Sequence, residues 1–267
     1  MQEIAIFGRY LAGTSPVHRM DPRAKLLLSL FVLIVIFCAQ SFWGLALCAL
    51  FVAGFYVIAR ISLLQAFKSV GWLFFIVIIT ALFNVFFVQG GTVFFAWGFI
   101  QISEAGVYQA AFMGCRLSLL LLSMSLLTLT TTSLDITDAF EYLFTPFTRF
   151  GLPAHELAMM MGIALRFLPQ FALELQTIHR AQLSRGANFS SSPLKGGVPM
   201  ITSLVVPLFT SAFRHAETLA AAMDSRCYHG GTGRSRLHPL RYTSLDRNAL
   251  IVVVAMLILV VASNFIP

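Results

Sequence analysis

Two tripeptides carry the most legible chemistry in this chain. Ser184-Arg185-Gly186 closes a helical, soluble-looking stretch that starts at Pro153, and Ser225-Arg226-Cys227 closes a second that starts at Val198. A guanidinium is a planar fork that holds carboxylates or carbonyls bidentately. Arginine near a helix end also has a simpler use, since it complements the helix dipole there. For one site alone that use is sufficient. Two equivalent ends in one chain point further, to two equivalent partners or to two halves of a dimer.

Other arrangements that could do chemistry are missing from the sequence. His155, His179, His215, His229 and His238 have no metal-binding spacing such as HExxH. No GxxxxGK[ST] loop is present to cradle ATP, and no GxSxG elbow to carry a nucleophile. Ser118, Ser123 and Ser125 are isolated in apolar sequence and suit hydrogen bonds to their own helix backbone. Cys38, Cys48 and Cys115 lie in apolar runs where Cys acts as a small hydrophobe, and Cys227 stands alone. The chain is expected to be no enzyme and to use no cofactor or metal.

The composition tells what holds these residues. Of 267 residues 58% are hydrophobic and only 11% charged, against about a quarter charged in soluble domains. The apolar residues form long runs, so the chain reads as a polytopic membrane protein. Its net charge of +7 is accounted for by Lys and Arg in cytoplasmic loops rather than by nucleic acid. Residues 26–59 carry no charge. As one helix they would reach about 50 Å, too long for a hydrocarbon core of roughly 30 Å. Gln40-Ser41 and Gly44 therefore mark a hairpin with spans at 26–39 and 42–59. Further spans are expected at 70–89, 107–131 and 248–266. Basic residues alternate with these spans: Arg9, Arg19, Arg23 and Lys25 before the first, Arg60 and Lys68 between the second and third, none over 90–106, and eleven over 132–247. This pattern places the N-terminus and 132–247 in the cytoplasm and the C-terminus outside.

The expected fold is thus all-α, with about five transmembrane helices and a cytoplasmic helical module inserted before the last. Its parts are 1–131, 132–247 and 248–267. In the module, Ser133 is suited to cap a helix with Asp135 and Asp138 in its first turn. Pro146 and Gly151-Leu152-Pro153 should end it. A long helix is expected from Ala154 to Arg185, kinked or broken at Pro169 and stopped by Gly186. After the linker Phe189–Pro193, residues Ile201, Leu204, Val205, Leu208, Ala212, Ala216, Leu219, Ala220 and Met223 recur at helical spacing. Pro207 should bend this helix and Gly230-Gly231-Thr232-Gly233 should stop it. Two such helices should pack as a hairpin or a V.

These elements in this order resemble the transmembrane T component of energy-coupling factor (ECF) transporters. His18-Arg19-Met20-Asp21-Pro22-Arg23-Ala24-Lys25 resembles the family's amino-terminal signature. Thr130-Thr131-Thr132-Ser133 with Asp135 resembles the start of its coupling module. Gly151–Leu157 and Ala164–Pro169 resemble the middle, and the Ala-Arg-Gly-type motifs correspond to Ser184-Arg185-Gly186 and Ser225-Arg226-Cys227. Ser replaces the usual Ala in both, and Cys227 replaces Gly in the second. The resemblance implies a non-catalytic subunit of an ATP-driven importer in a prokaryotic plasma membrane. Its partners would be two cytoplasmic ATPases, one per arginine, and a small membrane S component that binds a vitamin or metal ion. The Cys-Tyr followed by Gly-Gly resembles the shared, group II T components that serve several S components.

Three further expectations concern individual residues. Met159, Met160 and Met161, with Phe167 and Phe171, form a deformable patch suited to an exchangeable S component, or equally to packing between the coupling helices. Arg116 is a charge inside a span, suited to function or equally to a span-end or interhelical role, with Asn84 as a potential partner. Asp224 could position Arg226, while Glu174, Arg180, Arg214 and Glu217 read as solvated helix faces. The competing function is a self-contained secondary transporter or channel, which would need inverted repeats and a polar mid-membrane path. An intramembrane hydrolase would need paired catalytic groups in the spans. The sequence shows neither set of features.

Overall fold

The computed structural model describes residues 10–90, 92–97, 100–151, 153–187, 193–230 and 240–264. It divides into two compact units, and the division falls inside one helix, between Ala139 and Phe140.

The first unit, residues 8–139 and 239–267, is a helical bundle. It contains α1 (Pro22–Cys38), α2 (Phe42–Ala59), α3 (Leu63–Val70), α4 (Phe74–Phe87), α5 (Glu104–Thr130), the first part of α6 (Ser133–Phe144), and α9 (Ser244–Ser263). Ser41 caps α2 through the Gly44 N–H at 3.2 Å, so the chain turns where Gln40-Ser41 suggested. The expected third span is preceded by α3, with Ser62 and Gln65 in a capping box, and a single 3-10 turn carries the chain into α4. Gly106 is required where α5 starts, because a Cβ there would lie 2.7 Å from the Val88 carbonyl oxygen. Val35, Ile36, Cys48, Tyr56, Met256 and Val260 fill the centre. The Tyr56 hydroxyl, deep among them, donates to the Leu122 carbonyl at 2.7 Å.

The stretch before α5 is not plain loop: β1 (Val93–Trp97) and β2 (Ile100–Ser103) pair antiparallel. This small hairpin is an addition to an otherwise helical chain. It was invisible in a sequence scanned for apolar span length, which treats a short β-rich segment as a connection.

Arg116 acts at a helix end. Its Nη2 donates to the carbonyl of Ala39, the residue capping α1, and its guanidinium lies 4.6 Å from the centre of the Phe112 ring. The Asn264 side chain completes that corner, accepting from the Gln40 N–H at 3.0 Å and donating to the Cys38 carbonyl at 2.8 Å. Asn84 is no partner of Arg116. It donates to the Thr80 carbonyl of its own helix, the usual resort of a polar group in an apolar span. Ser118 and Ser123 bond back to their own helix, whereas Ser125 reaches Ser69 on α3 at 2.5 Å.

The second unit, within residues 140–238, holds the end of α6, a 3-10 segment over Thr145–Phe150, α7 (Ala154–Ser184) and α8 (Pro193–Asp224). Gly151, at φ +88°, separates the 3-10 segment from α7. The cap of α6 is Thr132 rather than Ser133. Its hydroxyl accepts from the Asp135 N–H at 3.2 Å and donates to the Asp135 carboxylate at 2.7 Å. Asp135 thus sits one turn in, where its carboxylate can reach back. Helix α7 runs through Pro169 without the break that was one of the two expected outcomes there. Helix α8 starts at Pro193, earlier than Val198. Proline suits that position because a first-turn N–H has no helical partner to lose. The expected linker residues Phe189–Ser192, the glycines Gly231 and Gly233, and Arg9, Arg234, Arg236 and His238 lie outside the described residues.

Among the described residues, five helical stretches are long and apolar enough to cross a membrane: Phe42–Ala59, Leu64–Phe87, Glu104–Thr130, Ala154–Ser184 and Ser244–Ser263. The chain is an all-α polytopic membrane protein. The number matches the expectation but the membership differs. Helix α1, at 17 residues, reaches about 26 Å and falls just short, whereas α7 qualifies as the least apolar of the five.

Candidate functional site

Helices α7 and α8 lie antiparallel, which three sets of contacts establish. Gln182 near the end of α7 donates to the Ser203 carbonyl near the start of α8, at 3.3 Å. In the middle, Glu174 meets Ser211 and His215. At the far end, Met159 and Ile163 of α7 share a hollow with Leu219, Met223, Arg226 and Tyr228. The expected hairpin is therefore present, and its two arginine-bearing ends point in opposite directions. Arg226 lies at the level of Met159, and Arg185 lies 26 residues along α7 from Met159, about 40 Å at 1.5 Å per residue.

The two tripeptides fold into the same backbone motif. At the end of α7 the Gly186 N–H donates to the Leu183 carbonyl and the Ala187 N–H to the Gln182 carbonyl, each at 3.0 Å. At the end of α8 the Cys227 N–H donates to the Asp224 carbonyl at 2.9 Å and the Tyr228 N–H to the Met223 carbonyl at 3.1 Å. Each pair is a complete Schellman cap, in which the residue after the cap must turn left-handed. Gly186 does so at φ +82° and Cys227 at φ +57°. The last helical carbonyls are thereby satisfied by backbone. The arginines at the cap positions are left free of that duty, and both are exposed. This explains the shape of the tripeptides: a small residue in the last turn, an outward arginine, and a residue forced into the left-handed region. The stop of α8 is thus Cys227, not the glycines that follow.

A Cβ in the left-handed region is disfavoured by about 1–2 kcal/mol. Glycine at 186 avoids that strain, while Cys227 bears it. Asp224 serves its cap through its backbone carbonyl, and its side chain is exposed.

The methionine patch divides. Met160 and Met161 are 54% and 47% exposed, while Met159 turns into the hollow beside Arg226. Phe167 and Phe171 lie against His215, with ring centroids 5.8 and 5.9 Å from the imidazole. They are half-buried packing groups of the hairpin. Glu174 is not a solvated face residue. Its carboxylate accepts from the Ser211 hydroxyl and lies 3.5 Å from His215 Nε2. Sequence spacing missed this because Glu174 and Ser211 are 37 residues apart and meet only when the helices pack. Arg180, Arg214 and Glu217 are exposed as expected. Among the described residues, no group of three or more His, Cys, Asp or Glu could hold a metal ion.

The residues of the amino-terminal signature lie elsewhere, at one end of the bundle. Asp21 caps α1 by accepting from the Arg23 N–H at 2.9 Å, and Arg23, Lys25 and Asp246 are buried beside it. Asp246 was missed altogether. Its signal was the Thr243-x-x-Asp246 spacing of a capping box.

Comparison with known proteins agrees with this architecture. Residues 13–239 match the family CbiQ, cobalt transport protein. The chain is 42% identical over 266 residues to the energy-coupling factor transporter transmembrane protein EcfT of Thermosediminibacter oceani, covering 100% of both chains. It is 41% identical to the protein of that name from Brevibacillus brevis over 98% of this chain and 97% of the relative. For the Bacillus subtilis protein the figures are 40%, 94% and 95%. Family match and full-length relatives together place the chain in the CbiQ family, as a transmembrane T component of energy-coupling factor transporters.

Proposed function

We propose that this subunit relays the ATP-driven motion of two cytoplasmic ATPases to a separate S component, and so drives uptake of a vitamin or similar micronutrient. The observation that carries the proposal is the pair of identical caps. Each presents an exposed arginine from a rigid helix end, and the two lie about 40 Å apart by helix rise. In this reading Arg185 and Arg226 each engage their own ATPase. ATP hydrolysis belongs to those partners.

In this reading α7 and α8 lie in the cytoplasm although α7 is long enough to span. Arg166, Glu174 and Arg180 on α7 and Arg214 and Glu217 on α8 would each disfavour a mid-bilayer position by about 2.5–3.5 kcal/mol on insertion scales. Helix α1 is the fifth span instead. The segment before α1 is then cytoplasmic and the end of α9 lies outside, in a prokaryotic plasma membrane. Met160 and Met161 face the S component, and their flexible thioethers let it be exchanged, as a shared group II subunit requires.

The test is purification of the tagged chain from its native membrane. Two ATPases and a small membrane protein should accompany it, and the Arg185→Ala, Arg226→Ala double variant should stay in the membrane without the ATPases. Full ATPase association and uptake in that variant would refute the assignment.

A further inference from the structure

The segment from Leu11 to Lys25 has no part in the function described so far, yet it grips the chain at two distant points. The Leu11 N–H donates to the Leu129 carbonyl at 3.0 Å. Lys25 Nζ donates to the Thr130 carbonyl at 3.1 Å and to the His18 carbonyl at 3.0 Å. Helix α5 ends at Thr130, so these donors satisfy carbonyls that a last turn leaves open. His18 holds the strap in shape. Its Nε2–H donates to the Leu11 carbonyl at 2.9 Å, and its Nδ1 is hydrogen-bonded with the Ser15 hydroxyl at 2.7 Å.

The second grip is on α9. The Asp21 N–H donates to Asp246 Oδ1 at 3.0 Å. The other oxygen of Asp246 accepts from the Thr243 N–H at 2.6 Å and hydroxyl at 2.9 Å, capping α9. Lys25 is only 7% exposed and Asp21 and Asp246 are buried with it. One strap thus holds the chain where it leaves α5 toward residues 140–238 and where it returns to α9.

We infer that Lys25, with Asp21 and Asp246, is a positioning group that fixes both roots of the 140–238 segment, so that movement of that segment is delivered to the membrane helices. This rests on the coupling reading above. Loose roots would let the hairpin swing without moving the bundle. Buried charge suits a fixed joint, because opening it leaves partners uncompensated in a dry place.

The test uses the complete complex in proteoliposomes, matched for assembled material. Lys25→Met keeps the length of the side chain without its donors, and Lys25→Arg keeps charge and donors. With Lys25→Met, ATP hydrolysis should persist while substrate taken up per ATP falls about tenfold, within the range of coupling effects. Lys25→Arg should restore part of it. Unchanged uptake per ATP, with only the yield of complex reduced, would overturn the inference and leave the strap a folding element. Should Lys25→Met fail to assemble, hydrogen exchange on the wild-type complex decides. Amides of residues 129–135 and 243–247 should keep equal protection with and without ATP, while those of 185–187 and 226–228 change. Loss of protection at 129–135 on ATP binding would overturn the proposal. A wild-type preparation without ATPases would instead defeat the coupling reading itself.

Discussion

The bundle and the arginine-bearing ends of the hairpin treat their charges in opposite ways. In the bundle, Asp21, Lys25 and Asp246 are buried at one end, and Arg116 and Asn264 close helix ends at the other. Each is occupied by backbone or by an opposite charge. In the hairpin, Arg185 and Arg226 stand exposed because the Schellman caps have already satisfied the carbonyls around them. The lesson is one of division of labour. A region that buries its charges in helix-end bonds is built to stay fixed. A region that caps itself with backbone leaves its charges exposed.

That contrast can be broken or sharpened at particular residues. The largest effect is expected at the exposed ends. Arg185→Ala or Arg226→Ala alone should weaken binding of one ATPase by about 2 kcal/mol or more, the scale of an interface anchor, with little change in the stability of the chain itself. Binding titrations of single variants against purified ATPase would show it. Equal binding by both variants and wild type would mean that these arginines are ordinary helix-end charges.

Next comes the bundle. Arg116→Ala should destabilise the folded subunit by about 1–3 kcal/mol, since it leaves the Ala39 carbonyl without its donor. Thermal unfolding in detergent should register the loss while ATPase affinity stays unchanged. A loss of affinity with unchanged stability would reverse the roles assigned to the two regions.

The smallest stability effect is expected at the caps, and its sign differs between them. Cys227→Gly should stabilise the end of α8 by about 1 kcal/mol through removal of left-handed strain, and Gly186→Ala should destabilise the end of α7 by a similar amount. Opposite shifts in local hydrogen exchange would check both. Shifts of the same sign would show that the caps are not equivalent.

A last prediction concerns side rather than size. In a background where Cys38, Cys48 and Cys115 are replaced, native Cys227 and an Ala187→Cys variant should react with an impermeant thiol reagent from the same face of the membrane. Labelling from opposite faces would make α7 a span and end the coupling reading. Replacement of Met159, Met160 and Met161 by leucine should weaken some S components more than others; equal binding of all of them would remove the patch from that role.

Much of this is legible in the sequence. The uncharged stretch 26–59 with Gln40-Ser41 in its middle gave a hairpin because length and turn chemistry are local properties. Gly186 marked the end of α7 for the same reason. Cys227 marked the end of α8 through its tripeptide, but its left-handed backbone was not legible, because no propensity favours cysteine with positive φ. Pro169 does not break α7, since the surrounding helix tolerates one missing N–H. Glu174 was misjudged, and Arg116 was given the wrong partner, because their actual partners, Ser211 and Ala39, are distant in sequence.

The sequence by itself determined that this is a helical membrane protein with two matched arginine ends, since hydropathy, charge alternation and tripeptide chemistry are written residue by residue. Only the tertiary structure decided that the two ends point away from each other, that the same backbone cap frees both arginines, and that the amino-terminal signature is a strap across α5 and α9. Those facts depend on which helices run antiparallel and on hydrogen bonds between residues more than a hundred positions apart, such as Lys25 to Thr130 and Asp21 to Asp246. Such pairings carry no local pattern, because they exist only once packing has brought the chain ends together.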